Sequence, residues 1–554
     1  MQRRKILSIL LLSCPALALA EGPQIQSTFT DTWRVIAANR ANVPMTGLQN
    51  VERDIRNVWL ADNGSGRFTF AAENSADYGL WAGTLAIGAS STRFFQIGVA
   101  GATGPGRSGG EAGHVFHERY QSQYYIDAGA EGQRVFLARA GAPGASSAQT
   151  TNGAWRWDGS RNIEVSRNGD SGALGPGLGA GWSISSVMRL QAARNGQVLI
   201  DATLARAGGG GGSAVIKHVP GVGNTTCVLS GSTDPNYSPN VGSLVFGEWF
   251  SSLDLRSIDA DGRIYTYFDN DSGVRDGIWE ICNGPPRAIA VNNEPGPRGP
   301  GLTVDSRFSF MMSPPMPGPA GAIYFGATAA VPSGPSTLML DGIFLHEGGS
   351  NRPIVLQGDA GAYSPNWQGT TFGPMRFNTI AVNGRTIAFD AVATNGSTNY
   401  EGMWRITKGG TAQPVAIIGD TGAWSPGGGL RWSQLMERIV YGNGDIVLRA
   451  KTSDNVYALW LFEPGQPPRR ILAEGQTFPL QTTSGLVNPV INDISLPSNN
   501  TSSTPRFGPG TSAGLDGWTN RDGQLLARLS LEGYGYVWAV TRPSEHIFRD
   551  DFQR

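Results

Sequence analysis

Apolar and polar residues alternate in short runs along this chain, and the runs return in the same order. A glycine turn followed by an apolar strand recurs at Gly66, Gly132, Gly196, Gly262, Gly321, Gly384, Gly444 and Gly523. Asn or Asp precedes the glycine at Asn195, Asp261, Asn383, Asn443 and Asp522. Asn-Gly and Asp-Gly favour two-residue hairpin turns, whose central positions need positive φ. The runs after the turn, such as Ile264-Tyr265-Thr266-Tyr267 and Thr386-Ile387-Ala388-Phe389, are rich in β-branched and aromatic residues. They read as strands. Each repeat is therefore expected to open with an antiparallel hairpin.

A further strand carries a Gly-apolar-aromatic signature. It reads Gly79-Leu80-Trp81, Gly153-Ala154-Trp155, Gly277-Ile278-Trp279, Gly342-Ile343-Phe344 and Gly402-Met403-Trp404. It drifts to Ala458-Leu459-Trp460 and Tyr536-Val537-Trp538, and loses its aromatic at Ala214-Val215-Ile216. A large ring at one fixed strand position is expected to wedge neighbouring sheets together. A fourth strand then ends in Gly358-Asp359 or Gly419-Asp420 and runs into Tyr363-Ser364-Pro365 or Trp424-Ser425-Pro426. Gly169-Asp170 with Pro176-Gly177, and Gly299-Pro300-Gly301, are weaker copies of this exit. Gly and Pro end strands, so the exit is expected to be the loop to the next repeat.

Four strands in each of eight units predict an all-β fold, a single closed β-propeller of eight four-stranded blades over residues 21–543. The last repeat lacks its fourth strand. The orphan segment Thr32-Trp33-Arg34-Val35-Ile36-Ala37-Ala38 resembles that strand, so the N-terminal strand is expected to complete the last blade and remove its open edge. An open β-solenoid or two smaller propellers is the alternative.

Residues 1–20 read as an export signal: Arg3, Arg4 and Lys5, then the apolar run Ile6 to Leu12, then Ala18-Leu19-Ala20. Leu12-Ser13-Cys14 offers a lipidation reading that Pro15 fits poorly. No later segment is long and apolar enough for a transmembrane helix. Residues 544–554 form a C-terminal tail. The net charge of −1 and the 16% charged residues give no basic surplus for nucleic-acid binding. Cys227 and Cys282 remain once the signal is gone. In an oxidising compartment they can pair, and two buried thiols is the alternative.

The repeat resembles the bacterial "choice-of-anchor tandem repeat NxxGxxAF-containing" proteins, from about Asn57 to Pro543. Asn63 to Gly66 and Asn520 to Gly523 keep the Asn-x-x-Gly part, Asp259 to Gly262 has Asp instead, and Ala388-Phe389 keeps the Ala-Phe part. The resemblance implies an exported repeat protein and no activity. Anchored members carry a hydrophobic C-terminal helix, whereas this sequence ends in His546-Ile547-Phe548-Arg549-Asp550-Asp551-Phe552-Gln553-Arg554.

Candidate chemistry is sparse. His114-Val115-Phe116-His117-Glu118 lacks the helical zinc-protease spacing, and Ser257 to Gly262 is a weak calcium-loop or Asp-box likeness that a plain turn explains. The run Gly208 to Gly212 lacks the Lys-Ser/Thr ending of a phosphate loop. No cofactor is expected. The exit loops are the best candidate surface. Tyr237, Tyr363 and Trp424 share one place in three repeats, and Asp170, Asp359 and Asp420 share another. On one face they can stack on and hydrogen-bond a sugar or peptide; the alternative is that the aromatics pin their own loops and each Asp caps a turn. The sequence is thus read as an exported, monomeric binding or scaffold module for an extracellular glycan or protein, outside the cytoplasm. A propeller-type glycosidase or lyase acting on extracellular polysaccharide is the alternative, and so is an envelope protein with no specific ligand.

Overall fold

The computed structural model describes residues 33–38, 54–60, 67–73, 78–84, 93–99, 114–117, 127–128, 134–157, 162–192, 196–247, 256–258, 262–268, 276–496 (apart from 312, 314, 366, 385, 408, 409, 442 and 483) and 525–541. The expected signal and C-terminal tail lie outside these residues. So do Asp259 and Asp261 of the calcium-loop likeness.

The chain is all-β. The described residues form eight sheets of four or five antiparallel strands and one two-stranded ribbon, Leu480–Thr482 with Gly485–Val487. Here the sheets are numbered along the chain and their strands lettered a to d. Sheet 1 holds Asp54–Leu60, Arg67–Glu73, Tyr78–Thr84 and Arg93–Val99. Sheet 2 holds Val115–His117, Arg134–Gly141, Thr151–Trp157 and Asn162–Arg167, with Asp127–Ala128 added beside strand b. Sheet 3 holds Trp182–Ala192, Val198–Arg206, Gly211–Val219 and Gly223–Leu229. Sheet 4 holds Arg256–Ile258, Ile264–Phe268, Gly277–Ile281 and Arg287–Val291. Sheet 5 holds Arg307–Met311, Ile323–Ser333, Ser336–Glu347 and Ser350–Leu356. Sheet 6 holds Thr371–Asn383, Thr386–Thr394, Asn399–Thr407 and Gln413–Ile417. Sheet 7 holds Trp432–Val440, Ile446–Thr452, Tyr457–Phe462 and Arg469–Ala473. Sheet 8 holds Ile491–Ser495, Leu525–Leu531 and Gly535–Thr541. Its edge strand d is the N-terminal Arg34–Ala38, paired with Gly535–Thr541.

Apolar cores join the sheets in chain order. Separate clusters bridge sheets 2 and 3, 3 and 4, 4 and 5, 5 and 6, 6 and 7, and 7 and 8. Within a sheet, an aromatic on strand a, or ahead of it at Phe246, meets the signature aromatic on strand c edge to face. The pairs are Phe116–Trp155 at 5.2 Å, Phe246–Trp279 at 5.5 Å, Phe308–Phe344 at 5.0 Å, Phe372–Trp404 at 5.3 Å and Trp432–Trp460 at 4.9 Å. Each such pair contributes about 0.5–1.5 kcal/mol beyond its buried area. In sheets 2, 4 and 5 the glycine two residues earlier makes room for the ring. A Cβ on Gly277 would lie 2.7 Å from Trp279 and 2.5 Å from the Ala290 carbonyl. Sheet 3, without an aromatic on strand c, is aliphatic at both places, Ile184 and Ile216.

One feature of the ladders is absent from the sequence pattern. In every sheet strand d carries one extra residue opposite strand c, a β-bulge. The bulged residues are Ile97, Val165, Cys227, Ile289, Ile354, Val415 and Ile471 in sheets 1 to 7, and Ile36 in sheet 8. This register corrects the sequence alignment of the last repeat. Trp538 pairs Ala37, one step after Ile36, so it stands where Leu459 stands in sheet 7, and Ala539 takes the place of Trp460.

Candidate functional site

In each sheet the strands alternate in direction, so the end of b, the start of c, the end of d and the start of a share one edge. The exit loops leave from this edge. Parallel bridges Asn292↔Phe308, Gln357↔Phe372 and Ile418↔Trp432 carry the edge from one sheet to the next.

Six junctions on this edge are built alike. A residue just beyond strand d donates its N–H to a carbonyl in strand a of the following sheet or, at Phe246, ahead of it. The bonds are Gly169 to Ile184 (2.7 Å), Gly231 to Phe246 (2.9 Å), Asn293 to Phe308 (2.8 Å), Gly358 to Phe372 (2.8 Å), Gly419 to Trp432 (3.0 Å) and Gly475 to Ile491 (2.9 Å). All six donors have positive φ, from 60° at Asn293 to 93° at Gly169. Glycine, or failing that asparagine, is the residue such a turn accepts. In four of the six the acceptor carbonyl belongs to the aromatic that wedges strand c.

The sequence-derived residues lie in these junctions. The Asp359 carboxylate accepts from the backbone N–H of Gly361 and Tyr363, both at 2.9 Å. Asp420 accepts from the N–H of Trp424 at 2.9 Å, and Asp170 from that of Arg167 at 2.7 Å. Tyr237, Tyr363 and Trp424 are half-buried, and their carbonyls accept from Leu229, Leu356 and Ile417 of their own strand d. Tyr237 packs on the core of sheets 2 and 3, Tyr363 on that of sheets 4 and 5, and Trp424 on that of sheets 5 and 6. The structure thus joins Asp359 to Tyr363 and Asp420 to Trp424 inside single loops. Asp170 is distinct: burial, and then the neighbouring Glu164 carboxylate, raise its pKa to about 6.

The same edge holds residues that the sequence reading missed. Arg449 lies 4.9 Å from the ring centre of Tyr457, and Arg528 lies 4.8 Å from that of Tyr536. The bulge register places both arginines at one position of strand b and both tyrosines at one position of strand c. Lys451 also lies over Tyr457, at 4.8 Å. Arg449 is held by Glu437 at 3.3 Å and by Asp493 of sheet 8 at 3.2 Å, and Arg528 Nε donates to Ser495 at 3.0 Å. Glu474, at the end of strand d, has its pKa raised by burial and by Asp493. Tyr536 is 41% exposed. The available signal was charge inside an apolar strand, Leu448-Arg449-Ala450 and Ala527-Arg528-Leu529.

The rim formed by the edge strands d is locked to the neighbouring sheet at the bulged residues. Cys227, the bulge of sheet 3, forms a disulfide with Cys282 just past strand c of sheet 4, with Cα atoms 4.7 Å apart. At two other gaps a His–Asn clasp takes this role. His218 Nδ1 meets Asn224 Oδ1 at 2.8 Å, and Asn224 Nδ2 donates to the carbonyls of Val165 and Leu174. His346 Nδ1 meets Asn351 Oδ1 at 2.8 Å, and Asn351 Nδ2 donates to those of Ile289 and Gly299. Both Asn donors are used, so Oδ1 must accept and Nδ1 carries the proton. Burial lowers the pKa of both histidines. Among the described residues no helix is long and apolar enough to cross a membrane, and no three His, Cys, Asp or Glu converge as a metal site.

Three solved structures share a partial likeness with this chain. The β-propeller domain of the Trilobed protease from Pyrococcus furiosus is 9% identical, covering 76% of this chain and 95% of that one, with a TM-score of 0.30. A PL25 ulvan lyase bound to a GlcA–Rha3S unit is 11% identical, over 77% and 96%, with a TM-score of 0.29. Penicillium chrysogenum α-L-arabinanase complexed with arabinobiose is 11% identical, over 75% and 92%, with a TM-score of 0.23. At such identity and scores these likenesses do not bear on activity. No curated protein matches the sequence. Residues 129–479 match the model of a family of unknown function, and the chain belongs to that family, DUF7453.

Proposed function

We propose that the eight sheets close into a single β-propeller, exported by the segment 1–20, and that it is a non-catalytic, monomeric binding or scaffold module at or outside the cell envelope. This reading retains the resemblance to the choice-of-anchor repeat proteins. One observation carries it: the loop edge repeats, with six junctions fixed by the same amide-to-carbonyl bond. Repetition of this kind suits a rigid platform better than a single reaction centre. Tyr457 and Tyr536, each backed by an arginine, are aromatic faces on that edge, and Tyr237, Tyr363, Trp424, Asp170, Asp359 and Asp420 hold its loops in place. Such faces suit stacking on a sugar ring or a peptide, so the partner is an extracellular glycan or protein.

A second reading is a propeller-type glycosidase or lyase acting on extracellular polysaccharide. The polar group of sheets 7 and 8 favours it, because Glu437, Arg449, Lys451, Tyr457, Glu474 and Asp493 break the repeat there.

Glycan and peptide arrays probed with the chain from residue 21 onward test the binding reading. Hits are expected to weaken at least about tenfold in Tyr536→Ala or Trp424→Ala, which is about 1.4 kcal/mol. Hits untouched by Tyr536→Ala, Tyr363→Ala and Trp424→Ala would place the contacts away from this edge. Polysaccharide cleavage that Glu474→Gln abolishes would instead favour the enzyme.

A further inference from the structure

The lock on the bulged strand-d residue differs from gap to gap. Between sheets 2 and 3, and between 4 and 5, it is the His–Asn clasp. Between sheets 3 and 4 it is the disulfide. In sheet 6 the register Trp404↔Pro414 and Arg405↔Gln413 leads next to Ile406 and Ala412, where sheets 3 and 5 pair His218↔Asn224 and His346↔Asn351. Neither Ile406 nor Ala412 has a side-chain donor.

A cavity of about 180 Å³ opens at this place, lined by Ile354, Tyr363, Ile387, Ile406, Thr407 and Gly410 among others. Ile354 is the bulged residue of sheet 5, the counterpart of Val165 and Ile289, whose carbonyls accept from the clasp amides. Where the clasp is present, a planar amide sits here with its N–H groups on main-chain carbonyls and apolar side chains around it.

We infer that this rim cavity is a binding site for a small ligand bearing an amide, a carboxamide or an acetamido group, which takes the place the asparagine side chain fills at the two clasped gaps. The volume holds such a group with its substituent, and the isoleucine walls suit a methyl. The site goes beyond the loop-edge reading and shares only Tyr363 with it.

Propionamide and N-acetyl-D-glucosamine are the probes, with propionate and glucose as controls, followed by saturation-transfer NMR and by the thermal midpoint. Propionamide marks the bare amide, and N-acetylglucosamine marks an amino-sugar source. At least one amide probe is expected to bind and the controls to fail. The variant Ile406→His with Ala412→Asn rebuilds the clasp and is expected to cut binding at least about tenfold. Thr407→Trp, at the exposed mouth, gives the same readout without touching the interior. Tyr536→Ala, in sheet 8 and away from this core, is expected to leave amide binding intact, which separates this site from the loop edge. No binding of either amide at about 100 mM, well above the millimolar range of weak ligands, would overturn the inference. So would equal binding of propionate, or binding that survives both cavity variants.

Discussion

The Asp390 carboxylate on strand b of sheet 6 grips the Arg438 guanidinium on strand a of sheet 7 through two hydrogen bonds, and both side chains are nearly shut off from solvent. Arg438 also donates to the Met436 carbonyl at 3.3 Å. Sheet 7 repeats the move toward sheet 8, with Arg449 to Asp493. Removing one partner strands the other charge. Asp390→Asn or Arg438→Met is expected to cost about 3–5 kcal/mol in denaturant melts, and replacing both with apolar residues of similar volume is expected to recover most of it.

The junction turns make a conformational prediction. Gly419 has a φ of 78°, with no atom within 4 Å of where a Cβ would sit. Gly419→Ala is therefore expected to lose about 1–2 kcal/mol through backbone conformation alone, while Gly419→Asn loses less, as Asn293 at the equivalent place implies. A differential melt of the two variants checks this.

Acid should loosen the rim. Burial lowers the pKa of His218 and His346, with Arg156 facing the first and Arg287 and Glu280 facing the second. The unfolded chain then takes up protons that the folded chain refuses. Stability is full above the ordinary histidine range, near 6.5, and falls as the pH drops through the lowered values. His346→Gln is expected to flatten that fall in denaturation curves taken between pH 7.5 and 5. Asp170 works in the opposite sense: with a pKa of about 6 its stabilising contribution is full near pH 4 and lost as the pH rises past 6. Asp170→Asn is expected to raise the thermal midpoint at pH 7.5 and to leave it unchanged at pH 4.

The disulfide closes a separation of 55 residues and ties strand d of sheet 3 to sheet 4, whose strand a is only Arg256–Ile258. Reduction, or Cys227→Ser with Cys282→Ser, is expected to cost about 3–4 kcal/mol, read by calorimetry with and without a reductant.

Much of the architecture was legible because it rests on local turn chemistry and strand period. Asn383-Gly384 and Gly402-Met403-Trp404 announce their hairpin and their wedge, and Trp33 to Ala38 announced a missing strand. The bulges were not legible, since an extra Ile or Val in an apolar strand leaves the composition unchanged. That is why Trp538 was aligned one step out. For the loop residues two readings stood open, because whether the Asp359 oxygens face outward or turn onto Tyr363 depends on backbone direction. Arg449 and Arg528 escaped because each sits in a different repeat with no shared motif around it. Their common position appears only once the strands are in register.

Arg34–Ala38 and Gly535–Thr541 sit side by side although nearly the whole chain separates them in synthesis order. At a synthesis rate of about 5–20 residues per second, the first strand waits for roughly half a minute to two minutes before its neighbour exists. During that wait the segment is a bare ribbon able to join the wrong edge, including one on another copy. Nicking or trimming at either end would strike this one seam, where the two strands meet.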